Sequence, residues 1–198
     1  MASAAPTRTT PLQPADWIRA AFQRLSSDGL EAVRIEVLAR DLGVSKGSFY
    51  WHFQDREDLL RKMLEQWETE EAEWLAAAIS GVHSPAARWA RLVNRSAHPQ
   101  KLRFEASLRA WARKDVSVAA RVADLERKRM QYISSVLQDT GFSPHAAESW
   151  AEMLFLIYLG WLDRTTRDSE FHEQNRDLGD FLSEMVLAAS ARKISSNQ

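Results

Sequence analysis

One segment, Val33–Leu60, constrains the fold more than any other: VRIEVLARDLGVSKGSFYWHFQDREDLL. Ile35, Leu38, Ala39 and Leu42 fall at i, i+3, i+4 and i+7, which is one apolar helix face. Arg34, Glu36, Arg40 and Asp41 lie mostly off that face. Gly43 follows the last periodic residue, where a helix can end in a left-handed conformation without a Cβ penalty. Val44 can then plug the turn. Ser45 suits an N-cap, with Ser48 at the third helical position. A second helix is expected over 46–53, anchored inward by Phe49 and Phe53, leaving Lys46, Gly47, Ser48, Tyr50, Trp51 and His52 largely outward. Asp55 can cap a third helix, with Asp58 three residues on. Arg56 would sit in its first turn, where backbone N–H groups and a positive side chain favour a phosphate.

Two short helices about a tight turn, then a third, is the layout of a helix-turn-helix unit. Short polar side chains at the front of the second helix, followed by Tyr and His, suit the major groove and its flanking phosphates. The same pattern also occurs in ordinary helical cores with a polar surface, so context decides. A preceding helix carries Ile18, Ala21, Phe22 and Leu25 at the same spacing, with Asp16 as its expected cap and Asp28-Gly29 as its stop. Three helices are the minimum that can bury the inner faces of such a unit.

On Ala39, Leu42, Gly43, Val44, Ser45, Gly47, Phe49, Tyr50, His52, Phe53, Arg56, Leu59 and Leu60, the segment resembles the TetR-type (tetracycline-repressor-like) bacterial transcription regulators. Arg56 stands where that family usually has Lys, and Phe49 where it often has Leu. The resemblance implies that Ser45, Lys46, Gly47, Ser48, Tyr50 and Trp51 approach bases or backbone, with Tyr50, His52 and Arg56 mainly on phosphates; Arg34 joins them as a DNA-contacting candidate. Residues 1–60 carry seven Lys/Arg against eight Asp/Glu. Non-specific DNA affinity comes from phosphate neutralisation by many cations, so a single copy is expected to bind weakly and two copies to share a site. Arg8 could add a minor-groove contact, although a disordered arm is expected over 1–14.

Beyond Leu60 the chain reads as helices only, punctuated near Pro85, Pro99 and Pro144. Helices are expected at 16–27, 35–42, 46–53, 56–80, 85–96, 101–113, 116–139, 144–166 and 175–192. The fold is therefore all-α: a DNA-binding domain over 15–60 and a helical ligand-binding and dimerisation domain over 61–198. The helix from Arg56 starts in one domain and continues into the other. Three further stretches resemble the sensing domain of one TetR-type subgroup: LRAWARKD (Leu108–Asp115), the basic run Glu126–Met130, and TGFSPHAAE (Thr140–Glu148). That resemblance implies a ligand cavity in the middle helices and a dimer interface formed by the last two long helices.

The residues bear on both expectations. Helix 144–166 is apolar all round, which requires burial on every side; a second copy could supply it, through Trp150, Leu154 and Trp161 with Leu178, Phe181, Leu182 and Met185 of the last helix. A core within one chain is the alternative. Phe104, Trp111, Met130, Trp150, Met153 and Tyr158 are candidates to line a pocket for a small apolar or aromatic effector; an aromatic stripe is more often plain core. Glu105, Arg109 and Glu152 could orient a ligand or be surface ions, and Arg127, Lys128 and Arg129 are expected to form a solvated face.

The 198 residues are 45% hydrophobic, ample for a core, and carry a net charge of −1 that favours neither nucleic acid nor membrane. There is no cysteine, no phosphate loop and no nucleophile elbow, so no enzyme is expected. His145, Glu148 and Glu152 could share a helix face, but no second histidine lies near, and neither a metal nor a cofactor is expected. The longest apolar run, Met153–Leu162, is too short for a membrane span of about 20 residues. The expectation is a bacterial, cytoplasmic, nucleoid-associated regulator, most simply a repressor, whose partners are a palindromic DNA operator, a second copy and an effector. The alternative is a helical protein-interaction module or small-molecule carrier without a DNA function.

Overall fold

A computed structural model describes residues 12–80, 84–96, 98–168, 170–171, 181–182, 184–186 and 188, and contains no strand among them. The chain divides into two compact units, Met1–Trp67 and Glu68–Gln198. The first holds α1 (Pro14–Asp28), a 3₁₀ turn (Leu30–Ala32), α2 (Ile35–Leu42) and α3 (Lys46–Tyr50). Helix α4 (Arg56–Ser80) begins there and ends in the second unit, which adds α5 (Pro85–Ser96), α6 (Pro99–Ala112), α7 (Val116–Asp139) and α8 (Pro144–Arg167). The expected helix 175–192 lies mostly outside the described residues, as do Arg8 and Leu178. Of its remainder, Phe181, Leu182, Glu184, Met185, Val186 and Ala188 are helical.

In the first unit Trp17, Ala21, Leu25, Val33, Leu38, Phe49, Leu59 and Met63 are fully buried. Each large side chain among them contributes roughly 1.5–3 kcal/mol by leaving water. Trp17 meets Phe49 edge-on at 5.2 Å, and Phe49 stacks on Phe53 at 5.2 Å. These rings fix α3 against α1. Gly43 is left-handed (φ 69°, ψ 34°), and the Val44 N–H reaches back to the Ala39 carbonyl at 2.9 Å, closing α2 as its sequence demands.

Helix starts follow proline more closely than the apolar spacing alone indicates. Pro14 and Pro99 take the first helical turn of α1 and α6, so both helices begin two residues before their expected positions. Asp16, expected as a cap, instead sits inside α1 and accepts the Gln13 N–H at 2.9 Å. Asp55 and Asp58 tie down the head of α4: Asp58 N–H donates to Asp55 (2.8 Å) and Gln54 N–H donates to Asp58 (3.1 Å).

In the second unit α7 packs against α5, α6 and α8, and α6 also against α8. Asp115 caps α7 through the Ser117 and Val118 N–H groups, and Ser143 caps α8 through Ala146. The expectation that α8 is buried on every side fails for the single chain. Ala147, Ala151, Leu154, Phe155 and Leu162 point inward, whereas Met153 (39%) and Leu156 (61%) are exposed beside exposed Gly160. Among the described residues, no helix is long and apolar enough to cross a membrane.

Candidate functional site

Two places gather candidate functional side chains. The first is the outer face of α3. Phe49 is buried, while Tyr50 is 60% and Trp51 87% exposed. Ser45, Lys46 and Gly47 are exposed and Ser48 half-buried. Ser45 occupies the N-cap position, but its hydroxyl makes no capping hydrogen bond. Helix α3 ends at Tyr50, three residues short of expectation. The His52 and Phe53 N–H groups both return to the Phe49 carbonyl (2.9 and 3.1 Å), because Phe53 must turn back into the core. Tyr50 and Trp51 are thus presented at the end of a rigid turn, and His52 is half-buried.

The charges of this unit are largely matched internally. Lys46 pairs with Glu36 at 2.7 Å, and that bond holds the Glu36 carboxyl below its ordinary range. Arg24 makes a fork to Asp41 (2.6 and 2.7 Å) and a bond to Asp28 (2.8 Å), joining α1 to the end of α2. Arg56, a candidate phosphate contact, donates to the carbonyls of Val33 (2.6 Å) and Leu30 (2.9 Å). It thereby latches the start of α4 to the loop ahead of α2. Arg34 is exposed at the N-cap of α2.

The second place lies in the unit Glu68–Gln198. Glu71 accepts from Arg95, from Lys101 (2.8 and 3.0 Å) and from Arg129 (2.8 Å). Glu105, 2% exposed, accepts from Arg129 (2.7 Å) and from the Tyr158 hydroxyl (2.9 Å). Lys101 and Arg109 stand 3.8 and 3.5 Å from Glu105, and Arg109 also pairs with Glu126. Burial pushes the Glu71 carboxyl up, but the Arg129 and Lys101 charges outweigh it and hold it at about 2. Burial, then the Arg129 charge, drives the Lys101 ammonium down to about 8. The Tyr158 hydroxyl is raised well above its ordinary value by burial and by Glu105.

This cluster overturns one expectation. Arg129 is buried between two carboxylates and is not on a solvated face; Arg127 and Lys128 are exposed and pair with Asp124. The sequence did hold a signal for it. Glu71 lies four residues after Trp67 and four before Leu75, and Arg129 lies four after Leu125 and four before Ile133. Both fall on apolar stripes, where an ionisable residue is buried and must find a partner.

Beside the cluster lies a cavity of about 100 Å³. Trp74, Trp89, Ile133, Leu154, Phe155 and Trp161 form apolar walls, and Glu71, Arg95, Lys101, Arg129 and Tyr158 form a polar one. Of the pocket candidates, the structure brings Tyr158 to this cavity. Phe104 and Trp111 are buried elsewhere, Met130 and Trp150 half-buried, and Met153 exposed; none of these five lines it. Of the dimer candidates, Leu154 is buried; Trp161 and Leu182 line the cavity; Met185 is half-buried and Phe181 exposed. Glu152, His145 and Glu148 are exposed, and no group of three His, Cys, Asp or Glu among the described residues could hold a metal ion.

The family model for bacterial regulatory proteins of the tetR family matches residues 18–63, the span from α1 into α4. No curated protein matches the sequence. Solved structures share the fold. A putative transcriptional regulator from Saccharomonospora viridis, in complex with choline, is 17% identical with a TM-score of 0.69, over 83% of this chain and 93% of its own. A TetR transcriptional regulator from Legionella pneumophila is 16% identical with a TM-score of 0.71, over 88% and 99%. The transcriptional regulator FadR from Bacillus subtilis, in complex with stearoyl-CoA, is 16% identical with a TM-score of 0.59, over 90% and 97%.

Proposed function

We propose that this chain, whose residues 18–63 match the model of the tetR family of bacterial regulatory proteins, is a ligand-responsive repressor acting as a homodimer on a palindromic operator. The observation that carries the reading is the outward side of α3, where Lys46 and Tyr50, with Trp51 just past the helix end, stand exposed while the other side is held by Phe49. Each copy sets α3 into one of two successive major grooves, about 34–36 Å apart on one face of the duplex. Ser45, Lys46, Gly47 and Ser48 approach bases, Tyr50, Trp51 and His52 the backbone, and Arg34 a flanking phosphate. Arg56 acts by positioning α4.

The exposed apolar residues Met153, Leu156 and Phe181 support a dimer, since a second copy would remove them from water. The cavity supports an effector, as do the ligands bound by two structural relatives, choline and stearoyl-CoA. Helix α4 supplies Leu59 and Met63 to the first core and Glu71 and Trp74 to the cavity. An effector that favours a dimer with the wrong groove spacing needs a coupling of only about 1–3 kcal/mol.

The test is a fluorescence-anisotropy titration of the full chain against the DNA upstream of its own gene, with an unrelated duplex as control. Tighter binding to the upstream fragment, saturating at two copies per site, is the expected result. Equal affinity for both duplexes, or none at low ionic strength, refutes the proposal.

A further inference from the structure

The polar wall of the cavity is unbalanced. Among the described residues, it presents three cations, Arg95, Lys101 and Arg129, against the single carboxylate of Glu71. Glu105, behind that wall, brings a second negative charge, and Arg109 is matched by Glu126. One positive charge is left over in a half-open, aromatic-walled space, where water screens it less than at an open surface. Arg95 makes the surplus specific: its guanidinium lies over the Trp74 ring at 4.7 Å, and its buried Nε–H has no hydrogen-bond partner among the described residues. Because Arg95 already covers that Trp74 face, a cationic ligand would meet a cation there. An anion would find the Nε–H donor open, on a guanidinium that has to share Glu71 with Lys101 and Arg129.

We propose that the cavity takes a small organic carboxylate, its acid group held by Arg95 and Lys101 and its body, about one ring in size, between Trp74, Trp89, Phe155 and Trp161. At about 100 Å³ the space is smaller than the roughly 150 Å³ engineered apolar cavity that holds benzene, but it is open on one side, so a single ring fills it with part of the ligand at the mouth. The carboxylate would draw Lys101 towards its fully charged form and share it with Glu71. This inference deepens the proposed effector role and rests on it.

The experiment titrates the full chain with benzoate and phenylacetate, against neutral benzamide and cationic choline. Tryptophan fluorescence and thermal midpoint report binding, and upstream-DNA affinity is measured in parallel. A carboxylate that binds at least tenfold more tightly than benzamide and choline, with Arg95→Gln abolishing that preference, is the expected result. Wild-type selectivity alone decides the matter if the variant fails to fold. Preference for choline or benzamide overturns the carboxylate assignment and leaves the effector reading standing. Carboxylate binding without any change in DNA affinity upholds the site and overturns the effector reading. Binding of none of the four overturns the site.

Discussion

Replacing Glu71 by Gln is expected to destabilise the second unit by about 3–5 kcal/mol at neutral pH, because it leaves Arg129, Lys101 and Arg95 without their shared counter-charge. The folded Glu71 carboxyl titrates at about 2, against 4.5 when free. At roughly 1.4 kcal/mol per unit, its ionisation stabilises the fold by roughly 3 kcal/mol. A carboxyl whose folded value is depressed stabilises above its unfolded value, and the contribution disappears as the pH falls from 4.5 through 2. Lys101, pushed down to about 8 from 10.5, acts in the other direction. The unfolded chain keeps a proton that the folded chain releases, so this group makes the fold more stable as pH rises from 8 to 10.5. Urea unfolding, followed by circular dichroism and tryptophan fluorescence at several pH values, measures both effects. The gap between wild type and Glu71→Gln should be largest near pH 7 and close progressively below pH 4.5. A gap that stays constant between pH 7 and pH 3, or a variant as stable as wild type at pH 7, would refute the argument that charge pairing holds this carboxylate inside.

Three other outcomes are expected. Glu36→Gln frees Lys46 from its 2.7 Å partner and should tighten DNA binding two- to fivefold in anisotropy titrations, with stability changed by less than about 1 kcal/mol. Arg56→Ala removes two bonds to the Leu30 and Val33 carbonyls and should cost about 1–3 kcal/mol in urea melts; a stable variant that merely loses DNA affinity would restore a phosphate role. Leu156→Glu puts a charge on the exposed α8 face and should shift the chain to a monomer in analytical ultracentrifugation, weakening operator binding at least tenfold; an unchanged oligomer would exclude that face from the interface.

The helices were legible because their ends are written in local chemistry. Gly43 stops α2 and Asp115 starts α7, and neither needs a distant partner. The end of α3 was not legible, since it depends on Phe53 turning in against Phe49. The outward residues of α3 followed directly from the inward pair. The cavity did not, because its walls come from α4, α5, α6, α7 and α8, and side chains such as Trp74 and Phe155 meet there only once those helices are packed. Glu71 and Arg129 hid in charged runs whose composition suggests water. Their helical register pointed inward, and in both cases the register was the better guide.

The matched charges around α3 also bear on how such a protein would travel a chromosome. With Arg24 bound to Asp41 and Asp28, Lys46 to Glu36, and Arg56 turned to backbone carbonyls, few cations among the described residues of this unit remain to displace ions condensed on DNA. Each phosphate left unneutralised removes about 0.9 from the logarithmic salt slope. Occupancy of random sequence would be sparse, and the search for a cognate site would proceed more by three-dimensional encounter than by sliding.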